Sequence, residues 1–244
     1  MKTVGSRVND LGQPVGEPAD GWTPPPPPPH EPMAGAFCRL ELLDAERHAA
    51  DLFNANGADP SGRMWTYLPY GPFGTLETYR AWVQRVSGTE DPLFFSIVGM
   101  EGGKAIGVGA YLRIDRANGT IEVGHLAYSP LLQRTPAATE AMYLMMQRAF
   151  TLGYRRYEWK CDARNAPSRQ AAQRLGLSYE GVFRQAVLYK GRNRDTAWYA
   201  AIDGEWPALN AAFRRWLDPA NFDRQGRQRV RLSDLTGPIL TKRG

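Results

Sequence analysis

The sequence predicts an α+β fold: a mixed, largely antiparallel central sheet with helices on both faces. Two observations point there. Residues 93–128 hold three strand patterns joined by hairpin turns at 101–104 and Asn118-Gly119, which makes an antiparallel meander. Strand and amphipathic helix patterns then alternate to about residue 217, each helix with its own start and stop residues. A folded unit over 36–217 is therefore expected, between a Pro-rich tail or clamp at 1–35 and a polar, irregular tail at 218–244.

In chain order, the six prolines at 24–29 predict an extended polyproline II segment, as a spacer, a clamp lying on the domain, or a ligand for an aromatic groove. Residues 37–43 read as a strand. Asp44 caps a helix whose apolar face is Ala45, Ala49, Leu52 and Phe53, ended by Asn56-Gly57. Residues 65–73 are aromatic and too rich in Pro and Gly for regular structure. Thr75 starts a second helix, to Val86. Strands follow at 93–100, 106–114 and 120–128, then a helix from Pro136, with Thr135 as N-cap and Gly153 at its end. A strand at 156–161, a helix at 165–175 closed by Gly176, strands at 178–188 and 196–202 around a loop at 190–195, and a helix opened by Pro207 complete the order.

Composition narrows the function. No apolar run approaches the roughly 20 residues that span a bilayer, and the first residues lack the apolar segment of a secretory signal. Two cysteines, Cys38 and Cys161, form neither a disulfide framework nor a metal-site pattern, so no metal and a cytoplasmic setting are expected. The net charge of +5 is dispersed and accompanies no nucleic-acid-binding signature; neither nucleic acid nor membrane is an expected partner.

The segment 131–141, Leu-Leu-Gln-Arg-Thr-Pro-Ala-Ala-Thr-Glu-Ala, joins a strand to a capped helix start, where backbone amides and the helix dipole favour an anion. It resembles the acyl-CoA loop of the GNAT N-acyltransferases, Gln/Arg-x-x-Gly-x-Gly/Ala. Gln133 and Ala138 match, and Pro136 stands at the glycine position. Residues 161–177 resemble that family's unit Asn-x-x-Ser-(x)7-Gly-Phe, with Asn165, Ser168 and Gly176 in place and Leu177 for Phe. The resemblance covers most of 37–205 and is closest to the RimJ/RimL-like branch. It implies the GNAT fold for 36–217, acetyl-CoA or another short acyl-CoA as co-substrate, and direct transfer to a primary amine on a small molecule or peptide. The enzyme is expected to be bacterial, and a monomer or homodimer. The alternative is a non-catalytic acyl-CoA-binding module.

Pro136 removes one N–H from the phosphate loop, a loss of about 1 kcal/mol. The amides of Arg134, Thr135, Ala137 and Ala138 remain, with Thr139 further along the turn and the Arg134 guanidinium as a charged donor. Strand alternation places Glu122, Gly124, Leu126 and Tyr128 on one face, with Leu126 and Tyr128 beside the cofactor. The resemblance makes Glu122, eleven residues before Gln133, the candidate general base; otherwise it is a structural carboxylate. His125 is the competing base, or a core residue. The resemblance gives Ser168 a place near the departing sulfur, where the position of the family's tyrosine is Ala172, and gives Asn165 the pantetheine arm. Both also suit a helix cap. Nothing marks Cys161 as an activated nucleophile. The acceptor pocket is expected from Trp65, Tyr67, Tyr70 and Phe73, with Arg184, Arg192 and Arg194 opposite, suiting a substrate with a carboxylate; otherwise the aromatics fill core.

Overall fold

The computed structural model describes residues 7–244. Residues 1–6 of the Pro-rich tail lie outside it. The tail carries a two-stranded hairpin, β1 (Arg7–Val8) with β2 (Pro14–Val15). The main sheet has eight strands: β3 (Met33–Ala34), β4 (Cys38–Leu42), β5 (Leu93–Gly99), β6 (Ala105–Asp115), β7 (Thr120–Tyr128), β8 (Arg156–Asp162), β9 (Ser178–Tyr189) and β10 (Arg192–Ile202). Their order is β3-β4-β5-β6-β7-β8-β10-β9, antiparallel except for the pair β7–β8. On one face lie α1 (Ala45–Asn56), α2 (Leu76–Val86) and the aromatic segment around Trp65; on the other lie α3 (Pro136–Thr151), α4 (Ala166–Arg174) and α5 (Trp206–Leu217).

The helix starts form as their caps dictate. Asp44, Thr75, Thr135 and Asn165 each accept a backbone N–H with the side chain. Gly153 (φ 98°) and Gly176 (φ 88°) follow the last turns of α3 and α4 in the left-handed region that a glycine enters without strain.

Three expectations need correction. The loop at 190–195 is a tight turn at Lys190–Gly191, because β10 begins at Arg192. The segment 218–244 is not irregular: it holds a 3-10 turn (Pro219–Asn221) and α6 (Leu232–Thr236), with Leu232 and Thr236 buried. Most consequentially, β7 does not alternate throughout. Val108 pairs with Ala127 and Ala110 with Gly124, so two residues of β7 oppose one of β6, and His125 takes φ 51°. This β-bulge changes the facing of the strand. Ile121 and Val123, and after the bulge Leu126 and Tyr128, join the core under α3, while Ala127 joins the opposite core. Glu122 and Gly124 therefore do not share a face with Leu126 and Tyr128.

The bulge also opens the sheet. β7 and β8 pair only from Thr120–Arg156 to Val123–Trp159, although both strands run further. Beyond that point they part, and a cleft of about 1680 Å³ forms between them.

The proline run lies on the domain as a clamp. Prolines offer carbonyls and no N–H. Arg116 Nε donates to Pro25 O (2.8 Å), Tyr154 OH to Pro26 O (3.2 Å), and Arg148 to Glu31 O and Pro32 O (2.6 and 2.7 Å). Buried Glu140 of α3 then accepts three backbone N–H groups, from Ala36, Phe37 and Cys38 (2.6–2.8 Å).

Candidate active site

Glu122 and Ser168 both line the cleft. Glu122 sits in the paired half of β7, just before the bulge, and is 3% exposed. Arg113 NH1 donates to its Oε2 at 2.7 Å, and Lys160 Nζ lies 2.9 Å from the same oxygen. Both cations thus meet Oε2, and neither is recorded on Oε1. Lys160, itself buried, also reaches Glu158 Oε2 at 2.8 Å. Burial raises the Glu122 pKa above the usual carboxylate range, against the opposing pull of Lys160 and then Arg113. Glu158 is held low: its own burial is outweighed by the bonds from Lys160 and Arg156.

Ser168 stands in the first turn of α4. Trp159 Nε1 donates to its Oγ at 2.9 Å, so the hydroxyl proton is free to point elsewhere. Cys161 lies close by; burial pushes its thiol up, with the Ser168 hydroxyl the largest opposing influence. A buried thiol of this kind is a poor nucleophile. His125 stacks on Tyr70 (11° between planes) and packs against Phe94; burial, then Arg113, pulls its pKa down to about 4. Its ring is neutral at physiological pH and suits the core rather than proton uptake.

At the other end of the cleft, Leu126, Tyr128, Gln133, Arg134, Thr135, Ala138, Thr139 and Asn165 line the wall. Ala137 does not: it packs in the core, its carbonyl facing Cys38 Sγ. Two of the four loop amides are engaged within the protein. Thr135 N–H bonds Leu132 O (3.3 Å), and Ala138 N–H bonds Thr135 Oγ1 (3.2 Å). The amides of Arg134 and Ala137 have no such partner among the described residues, Ala137 because the first helical turn offers it no acceptor, and of the two only Arg134 lines the cleft. Arg134 adopts φ 63°. Asn165 caps α4 through Oδ1, which accepts from Ser168 N.

Of the residues expected around the acceptor, Tyr67 lines the cleft, with its OH on Arg164 O, and so does Arg194. Trp65 and Tyr70 instead pack with Phe73 and Trp82 in the aromatic core above the sheet. Arg184 lines a separate depression on β9.

Sequence reasoning missed Lys160, Arg113 and Trp159, which position Glu122 and Ser168. A signal existed: β8 alternates charged and apolar residues, Arg156, Glu158, Lys160 and Asp162 with Tyr157, Trp159 and Cys161 between them, and buried charges come in pairs. Arg174 was missed too. Its NH1 bonds Thr139 Oγ1 (3.1 Å), its guanidinium lies 5.1 Å from the Trp216 ring centroid, burial pulls its pKa down, and it has no carboxylate partner among the described residues. Phe222 and Gln228, from the C-terminal segment, complete that wall. Among the described residues no helix is long and apolar enough to cross a membrane, and no three His, Cys, Asp or Glu side chains cluster as a metal site.

Residues 39–178 match the model of the acetyltransferase (GNAT) domain, more than half of the chain. A GCN5-related N-acetyltransferase of known structure from Brucella melitensis is 45% identical, with a TM-score of 0.87 over 89% of this chain and 99% of that one. An uncharacterized N-acetyltransferase, p20, from Bacillus licheniformis is 27% identical over 172 residues, 69% of this chain and 95% of its own length. The fold is shared with RimL, a ribosomal L7/L12 alpha-N-protein acetyltransferase solved with coenzyme A, at 20% identity and a TM-score of 0.60 over 70% of this chain and 98% of that one. The clefted sheet and its helices are thus those of a known enzyme architecture, and the chain belongs to the GNAT acetyltransferase family.

Proposed function

We propose that this enzyme moves an acetyl group from acetyl-CoA directly to a primary amine, with Glu122 as general base and Ser168 as the donor to the departing sulfur. One observation carries the reading: a buried carboxylate with one oxygen held by two cations, and a hydroxyl whose oxygen is already occupied, line the same cleft where β7 and β8 part. Glu122 Oε1 accepts a proton from the substrate ammonium, so that a neutral amine attacks the thioester carbon. The C–N bond forms, the C–S bond breaks, and the Ser168 hydroxyl donates a hydrogen bond to the thiolate as it leaves. Trp159 fixes the hydroxyl by occupying its lone pair. Asn165 and the backbone of Leu126 and Tyr128 hold the pantetheine arm. Arg134, with its own amide, and Arg174 hold the phosphates at the start of α3. Buried free cysteines and a CoA substrate suit a bacterial cytoplasm.

Thiol release from acetyl-CoA, screened against amino acids, peptides, polyamines and aminoglycosides, tests this. Amine-dependent release is expected. Calorimetric binding of acetyl-CoA with no release against any amine would instead make the protein a non-catalytic acyl-CoA module.

A further inference from the structure

The sheet face that carries Glu122 continues along β10 as a row of unused hydrogen-bond donors. Lys160 stands opposite Trp198, and Asp162 opposite Thr196, so all four side chains share that face. Lys160 Nζ, 2.9 Å from Glu122 Oε2, is 3.8 Å from the Trp198 ring centroid, which joins the row to the candidate base. Arg194, Thr196 and Trp198 all line the cleft. Each carries a buried polar atom without a partner: Arg194 Nε, Thr196 Oγ1 and Trp198 Nε1. Thr196 is only 4% exposed. The Arg194 guanidinium makes no hydrogen bond or ion pair among the described residues, and the Tyr189 ring, 5.9 Å away, is its aromatic neighbour.

Buried donors without acceptors are rare and destabilising. Three at successive same-face positions of one strand have no structural account in the folding of the domain. The acids of that face are already engaged: Glu122 and Glu158 by Lys160, and Asp162 by Tyr189 OH (3.1 Å) and Arg164 N–H (2.8 Å). What the row lacks is therefore an anion.

We propose that the acceptor amine also bears a carboxylate, and that Arg194, Thr196 and Trp198 bind that carboxylate while Glu122 meets the amine. The inference rests on the acetyl-transfer reading of the same cleft. One guanidinium and two neutral donors match a single negative charge; a phosphate dianion would stay half compensated. The three atoms are covered in this structure. Phe183, opposite Thr196 in β9 and 4.6 Å ring to ring from Trp198, is 57% exposed beside them.

The test measures acetyl-CoA thiol release with matched acceptors: an amino acid, its amide, the amine lacking the carboxylate, and the aminophosphonate analogue. The carboxylated amine is expected to lead in kcat/KM by about tenfold or more. Arg194→Gln should lower kcat/KM for that substrate about 10- to 100-fold while changing the amine lacking it less than about threefold. Thr196→Val, close to isosteric, should give a smaller loss with the same selectivity, which separates recognition from misfolding. Equal rates on all acceptors, equal losses on both in Arg194→Gln, or preference for the phosphonate would each overturn the inference while leaving acetyl transfer intact. If no amine is acetylated, the acetyl-transfer reading has failed. Calorimetry of the carboxylated amine on the CoA-bound protein then decides separately, because lack of binding there also overturns the carboxylate site.

Discussion

Glu122 works between two opposing influences. Its burial disfavours the charged form, and Lys160 and Arg113 favour it, with burial the stronger. In the proposed transfer, proton uptake from the substrate requires the carboxylate, so the rate should fall as the pH drops through the Glu122 pKa. The acidic limb of the kcat/KM profile is thus predicted above the ordinary carboxylate value of about 4.3. Lys160→Met removes the larger of the two favourable influences and should move that limb to higher pH, measured by thiol release across a pH series; an unmoved limb would mean another group titrates there. Glu122 and Ser168 were singled out by the family resemblance, and both line the cleft. The residues that position them were not, since Lys160 and Trp159 read as ordinary positions of a strand until the sheet brings β7, β8 and α4 together. Trp65 and Tyr70 misled for a related reason: an aromatic run in a Pro/Gly-rich loop suits a pocket wall and a core cover equally, and packing against Trp82 and Phe73 decides.

At the level of elements, the decisive event is the β7 bulge. It is stabilised by the neighbouring strand's register and by the His125 ring packing, neither of which a period-two pattern reveals. The caps of α1 to α4 were legible, because capping is written in adjacent residues. The C-terminal segment was not. Its polar composition reads as an irregular tail, yet Asn221 ties it together by bonds to Trp216 O and Val230, and Thr236 Oγ1 donates to Arg174 O. That segment and α4 present Arg174 to the cleft without a counter-charge. Arg174→Ala is predicted to raise the KM for acetyl-CoA about tenfold with kcat nearly unchanged, as expected for loss of a charge-assisted bond made equally in ground and transition states. A fall in kcat at constant KM would place Arg174 in the chemistry instead.

For the whole molecule, the order of strands and helices suffices for the architecture, and the meander at 93–128 forms as its turns dictate. The N-terminal segment enters as a structural part. Glu140 gathers three backbone amides where the clamp meets β4, and a Cβ at Gly35 would overlap its carboxylate. Glu140→Ala leaves those buried donors unsatisfied and should destabilise the protein by about 3–5 kcal/mol, with Glu140→Gln milder. Chemical denaturation checks this; a loss below about 1 kcal/mol would show that the clamp adds little.

In the proposed mechanism a carboxylate at the opening of the β7–β8 cleft takes the substrate proton. Glu122→Gln tests it most directly, with steady-state thiol release measured beside calorimetric acetyl-CoA binding. The kcat/KM for the amine should fall about 10²- to 10⁴-fold, with acetyl-CoA affinity changed less than about threefold. A variant that turns over at the unaltered rate would contradict it.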